Sequence, residues 1–95
     1  MTDLFTPMDL HGLALRNRIW MSAMTRTRAT ADNVPTPLMG EYFRQRAAAG
    51  LIVTECTAVS EQGKGVVNGP GIWRNDQIDG WRIVTDAVHA AGGHI

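Results

Sequence analysis

Apolar runs and amphipathic helical patterns alternate along this chain. Residues 19–24 and 51–55 are rich in large apolar and β-branched side chains, which suits strands buried on both faces. A helical pattern follows each. Leu38, Tyr42, Phe43 and Ala47 form one stripe, and Ile78, Trp81, Val84 and Val88 form the other. With His94-Ile95 opening a third strand, the order is strand, helix, strand, helix, strand, as in a parallel sheet covered by helices. Each crossover is expected to be right-handed. Two α/β architectures fit: an open doubly wound sheet, and the first part of a (β/α)8 barrel. A parallel strand left at an edge is an unusual end for a domain, so residues 1–95 are expected to be part of a larger one.

The segments between these elements carry turn chemistry. Residues 4–15 hold Leu4, Phe5, Leu10, Leu13 and Leu15 around the turn-forming Asp9-Leu10-His11-Gly12, which predicts a short lead-in hairpin. The polar stretch 25–35 reads as a loop. Thr36 can cap a helix with Pro37 at its first position, and Gly50 ends that pattern. Residues 57–74, rich in glycine, form a long loop of the kind that is functional or mobile. The second helix is expected from Asn75 or Asp76 to Ala91, with Gly92-Gly93 stopping it.

Charge narrows the partners. Nine basic side chains balance nine acidic ones, which gives no electrostatic reason for nucleic acid or an anionic membrane as a partner. No apolar run approaches the roughly 20 residues that span a bilayer, and the first residues lack the basic and apolar segments of a secretory signal. The single cysteine, Cys56, excludes an intrachain disulfide and fits a reducing compartment, so a cytoplasmic location is expected.

Among possible motifs, Gly63-Lys64-Gly65-Val66-Val67-Asn68 begins like a dinucleotide fingerprint but has Asn68 where the third glycine belongs. It also follows its strand by several residues, whereas the fingerprint needs its glycines in the turn from strand to helix. A loop is the better reading. His11, His89 and His94 lack metal-ligand spacing, since a Gly-Gly helix stop separates the last two. Cys56, at the end of an apolar strand, would ordinarily be a small buried hydrophobe. Strand ends nevertheless carry the site in parallel α/β folds, which singles out Cys56 and the run Ala23-Met24-Thr25-Arg26.

These residues also carry a resemblance. Leu4-Phe5-Thr6-Pro7, Leu15-Arg16-Asn17-Arg18-Ile19 and Met21-Ser22-Ala23-Met24-Thr25-Arg26 resemble the opening of the Old Yellow Enzyme family. Tyr42-Phe43-Arg44-Gln45-Arg46-Ala47 and Gly50-Leu51-Ile52-Val53-Thr54-Glu55 are similar to its first helix and second strand. Pro70-Gly71-Ile72, Trp81 and Val88-His89-Ala90-Ala91-Gly92-Gly93 continue the likeness across essentially the whole chain, in order. The resemblance implies a TIM barrel that binds FMN and is reduced by NADH or NADPH. It further implies hydride transfer to an activated alkene such as an enone. Ala23, Met24 and Thr25 would lie along the flavin, with the Thr25 hydroxyl on its O4 edge, and Cys56 would offer a backbone amide. Val66 would line the substrate pocket.

Three positions depart from the family pattern, which usually has proline at Ala23, alanine or glycine at Cys56, and often an aromatic at Val66. The family's glutamine for the flavin pyrimidine edge, its substrate-binding His/Asn or His/His pair, its tyrosine proton donor and its phosphate-binding arginines are not among these residues. A TIM barrel typically needs about 250 residues. The expectation is therefore an ene-reductase barrel completed by a second polypeptide. The alternative is a non-catalytic, truncated or self-associating half-barrel, and a third reading is another flavin branch, such as the iron–sulfur dienoyl-CoA reductases.

Overall fold

In the computed structural model, residues 2–95 are described, and they form a hairpin followed by two strand–helix units. The hairpin pairs β1 (Met8–Leu10) with β2 (Leu13–Leu15), antiparallel, with Leu10 opposite Leu13. Its two central residues, His11 and Gly12, have φ of 48° and 95°. Positive φ at both positions gives the turn a twist that matches the strands, and the Asp9 carboxylate accepts the Gly12 amide at 3.1 Å. The predicted hairpin is present.

The parallel unit pairs β3 (Trp20–Met21) with β4 (Leu51–Ile52), in register Trp20↔Leu51 and Met21↔Ile52. Both strands are shorter than the runs 19–24 and 51–55 suggested. A parallel ladder needs a neighbour for each amide and carbonyl, and among the described residues β3 pairs on one side only. His94 and Ile95 are not assigned as a strand, yet the His94 carbonyl accepts the Ile52 amide at 2.9 Å. The chain therefore arrives beside β4 where a third parallel strand was expected. The residues present show this portion of an α/β fold and not a closed barrel.

Helix α1 (Pro37–Arg44) begins as predicted: the Thr36 hydroxyl accepts the Met39 amide and Pro37 occupies the first turn. It stops short of Gly50. Beyond it the amides of Arg46, Ala47 and Ala49 bond three residues back, to Phe43, Arg44 and Arg46, so the chain tightens into successive turns. Helix α2 (Asn75–Ala90) ends one residue earlier than expected. The Gly93 amide reaches the Val88 carbonyl and the Gly92 amide reaches that of His89, with Gly92 at φ 83°, the two-bond closure that favours glycine.

The helices pack on one another and on β4. The core comprises Met39, Phe43 and Ala47 of the first helical segment, Trp81, Val84 and Val88 of α2, with Ile52 and Ala29. Two stripe residues are displaced by one position. Leu38 is 61% exposed while Met39 is buried, and Ile78 is 37% exposed while Gln77 is fully buried. Gly40 sits where the two helices meet, and a methyl group there would lie 3.6 Å from the Val84 backbone, an ordinary contact distance. The buried stripes thus run through Met39 and Gln77 and not through Leu38 and Ile78.

The hairpin seals the amino-terminal ends of the strands. Arg16 donates to the Gly92 carbonyl, Asn17 Nδ2 donates to Ala48 at 2.9 Å, and the Gly50 amide bonds Ile19 at 2.8 Å. The loops after β3 and β4 therefore emerge at the opposite end, where open parallel sheets carry their sites.

Candidate functional site

Ala23, Met24, Thr25 and Cys56 all lie beyond the carboxyl ends of β3 and β4, and all are exposed. Thr25 and Cys56 each lie four positions beyond the last paired residues, Met21↔Ile52. A 3.5 Å contact from the Arg26 amide to Glu55 Oε1 shows that the two segments stay adjacent there. Among the described residues, the backbone amides of Ala23, Met24, Thr25 and Cys56 have no partner. Because these residues are exposed, their amides are free to donate to water or to a ligand. Cys56 thus departs from the buried hydrophobe that its apolar strand suggested. It follows Glu55, which takes the inward position.

Glu55 is 7% exposed, and its Oε2 has no partner among the described residues. Burial raises its carboxyl pKa above the ordinary value, opposed by the Arg26 amide and by the positive charge of Arg26. The Arg26 guanidinium lies 5.4 Å from the Tyr42 ring centroid, and that of Arg46 lies 3.9 Å from it. Arg26, Arg28, Tyr42 and Glu55 line a cavity of about 170 Å³ at the mouth of α1.

A second cavity, of about 200 Å³, is lined by Asn33, Cys56, Thr57, Lys64, Val66 and Pro70. It brings Cys56 together with Val66, which is 40% exposed. Ala23, Met24 and Thr25 are not among its lining residues. The Gly63-Lys64-Gly65 run precedes no helix directly: Lys64 pairs with Glu61 at 2.9 Å, and α2 starts only at Asn75. The phosphate-cradling geometry of the fingerprint is therefore not formed there.

The long 57–74 segment is tied to its surroundings at several points. Ala58 bridges Gly71 in parallel fashion, and the Ala29 amide bonds the Asn68 carbonyl at 3.1 Å. Asn33 is 5% exposed with φ 65°, and its Nδ2 donates to the Gly69 carbonyl at 2.7 Å. Trp81 Nε1 donates to Gly71 at 3.1 Å, and Arg74 Nη2 to the Asp32 carbonyl at 2.6 Å. Pattern analysis did not single out Asn33 or Gln77. Asparagine in a polar loop does tolerate positive φ, but nothing local names its partner 36 residues away.

Among the described residues, no His, Cys, Asp or Glu group is arranged to hold a metal ion, and no helix is long and apolar enough to cross a membrane.

Comparison with known proteins gives the same topology a context. Residues 3–95 match the NADH:flavin oxidoreductase / NADH oxidase family. The chain is 47% identical to chanoclavine-I aldehyde reductase fgaOx3 of Penicillium roqueforti, covering 100% of this chain and 26% of that protein. It is 39% identical to a probable flavin mononucleotide-dependent alkene reductase of Leishmania infantum, covering 97% of this chain and 25% of that one. The Old Yellow Enzyme homologue of Zymomonas mobilis superposes with a TM-score of 0.94 at 49% identity, over 97% of this chain and 26% of its own. Morphinone reductase in complex with tetrahydroNAD superposes at 0.93 and 47% identity, over 98% and 25%. The chain thus spans about a quarter of the length of the relatives it matches. The chain belongs to the NADH:flavin oxidoreductase / NADH oxidase family, that of the Old Yellow Enzymes.

Proposed function

We propose that these residues form the first part of an FMN-dependent, NAD(P)H-consuming reductase of activated carbon–carbon double bonds. Residues outside the chain, on a second polypeptide or the same one, would complete its TIM barrel. The observation that carries this reading is the pair of adjacent parallel strand ends, beyond which Thr25 and Cys56 are exposed, with amides that have no partner among the described residues. Those open donors fit the hydrogen-bonding edge of an isoalloxazine, and the names of the relatives supply the chemistry.

Bound there, FMN would take reducing equivalents from NADH or NADPH and supply a hydride to the β-carbon of an enone or similar alkene. The chain's own residues would bind and tune. Thr25 would donate its hydroxyl to the flavin O4 edge, stabilising negative charge as it develops on the ring. Ala23 and Met24 would lay their backbone along the flavin, and Cys56 would donate its amide. Val66 would line the alkene site. The zero net charge supports a small-molecule substrate over nucleic acid or membrane, and the single cysteine supports a cytoplasmic setting.

The test is the visible spectrum of the protein purified with the rest of its barrel. A flavin band bleached by a nicotinamide and restored by an enone is the expected result. A folded, colourless protein would remove the reading.

A further inference from the structure

Asn33 grips the 57–74 loop on both sides of the buried Pro70. Its carbonyl accepts the Gly71 amide at 2.8 Å, and its Nδ2 donates to the Gly69 carbonyl at 2.7 Å. Gly69 in turn donates its amide to the Val66 carbonyl at 3.2 Å. Two hydrogen bonds therefore run from a buried side chain in the loop after β3 to the residue that faces the second cavity. Asn33 also forms part of that cavity's wall, beside Cys56 and Lys64. The backbone at Asn33 is in the left-handed region, which asparagine and glycine reach without much strain.

We infer that Asn33 is a positioning residue, which fastens the Val66 segment to the loop after β3 and so sets the wall against which the alkene substrate packs. This rests on the proposed reductase function, in which Val66 lines the substrate site. Asn33 would act through these two bonds, although it borders the same cavity. Its two bonds do separable work. Glycine at this position keeps the left-handed backbone and the bond from Gly71, and deletes only the bond to Gly69. Aspartate keeps the side-chain shape but turns an acceptor toward the Gly69 carbonyl, leaving that carbonyl facing a like dipole.

The experiment uses the complete flavin-loaded enzyme, wild type against N33G and N33D. It measures KM for cyclohexenone, the limiting rate of flavin reduction at saturating nicotinamide, and amide hydrogen exchange over residues 66–71. Loss of one buried hydrogen bond should raise KM roughly tenfold, with aspartate at least as severe as glycine. The limiting reduction rate should stay within about twofold, because the bond deleted in N33G does not reach Ala23, Met24 or Thr25. Exchange over residues 66–69 should quicken in both variants, while Gly71 keeps its bond to the carbonyl of residue 33. An unchanged KM alongside faster exchange would overturn the inference, leaving Asn33 a structural clamp only. Unchanged exchange would overturn it as well, by showing that the bonds bear no load. A wild-type enzyme without a flavin band would instead refute the reductase reading, a result visible before any variant is made. N33G guards against misfolding, since it retains the backbone conformation that N33D also needs.

Discussion

The carboxamide oxygen of Gln77 accepts the Trp73 amide at 2.8 Å and the Arg74 amide at 3.1 Å, folding the start of α2 back onto the loop that feeds it. Its nitrogen donates to the Asp32 carbonyl at 3.3 Å, so one fully buried side chain joins three segments. Replacing it with alanine strands two amides and opens a cavity. The expected cost is about 2–4 kcal/mol, on the scale of unsatisfied buried groups and lost packing. Glutamate should recover part of this, because it keeps the acceptor and places negative charge at a helix amino terminus. Denaturant midpoints of the three proteins, taken at one pH, decide the matter. Equal stability of wild type and Gln77→Ala would sink it.

Glu55 predicts a pH dependence with a definite sign. Burial holds its folded pKa above the ordinary 4.5. In the folded state it therefore keeps its proton to higher pH than in the unfolded chain. As pH rises past the unfolded value the unfolded state releases its proton first, and stability falls until the folded carboxyl has ionised too. The contribution is fully present below the unfolded pKa and lost above the folded one. Glu55→Gln removes the titration and puts a neutral amide in the carboxyl's place. Unfolding curves across the acid-to-neutral range should show a shallower decline for the variant than for wild type. Parallel curves would mean that Glu55 is solvated in the folded state.

Much of this was legible from periodicity, and the parts that were not share a cause. The hairpin, both helices, the Thr36 cap and the Gly92-Gly93 stop are local in sequence, with donors and acceptors a few residues apart. The displacement of Leu38 by Met39, and of Ile78 by Gln77, depends on how the two helices face one another, which no single stripe records. The strand lengths depend on neighbours, so two apolar runs yielded two short ladders. Strand-end position singles out Ala23, Met24, Thr25 and Cys56, and all four lie exposed beyond the ends of β3 and β4. The clamp on the 57–74 loop was not visible, because Asn33 meets Gly69 through a side chain that composition reads only as loop polarity.

Cys56 separates backbone from side-chain roles. Its thiol is exposed, and the group it would offer a flavin is its amide. Cys56→Ala should therefore leave stability within about 0.5 kcal/mol, as for surface changes away from special features. It should also leave the flavin-to-protein ratio at the wild-type value. Loss of flavin in this variant, with folding intact by circular dichroism, would give the sulfur a part in binding. Cys56→Pro removes the amide itself and should lower flavin content where alanine does not.

Thr25 is the residue through which this segment would govern the chemistry rather than the fold. It is exposed at the end of β3 and its amide is unpartnered among the described residues, so its side chain answers to no packing demand. In the proposed site its hydroxyl donates to an oxygen that gains negative charge on reduction. A hydrogen bond to a charged group contributes about 1.5–3 kcal/mol, which for a two-electron couple corresponds to roughly 30–60 mV. Thr25→Ala should lower the flavin potential by that order and slow reduction by nicotinamide, while Thr25→Ser, which keeps the donor, should stay near wild type. Thermal stability should move little in either variant. A redox titration that finds the alanine variant at the wild-type potential would take Thr25 out of the flavin site. A lowered potential shared equally by serine and alanine would assign the effect to the lost methyl group and not to the hydroxyl.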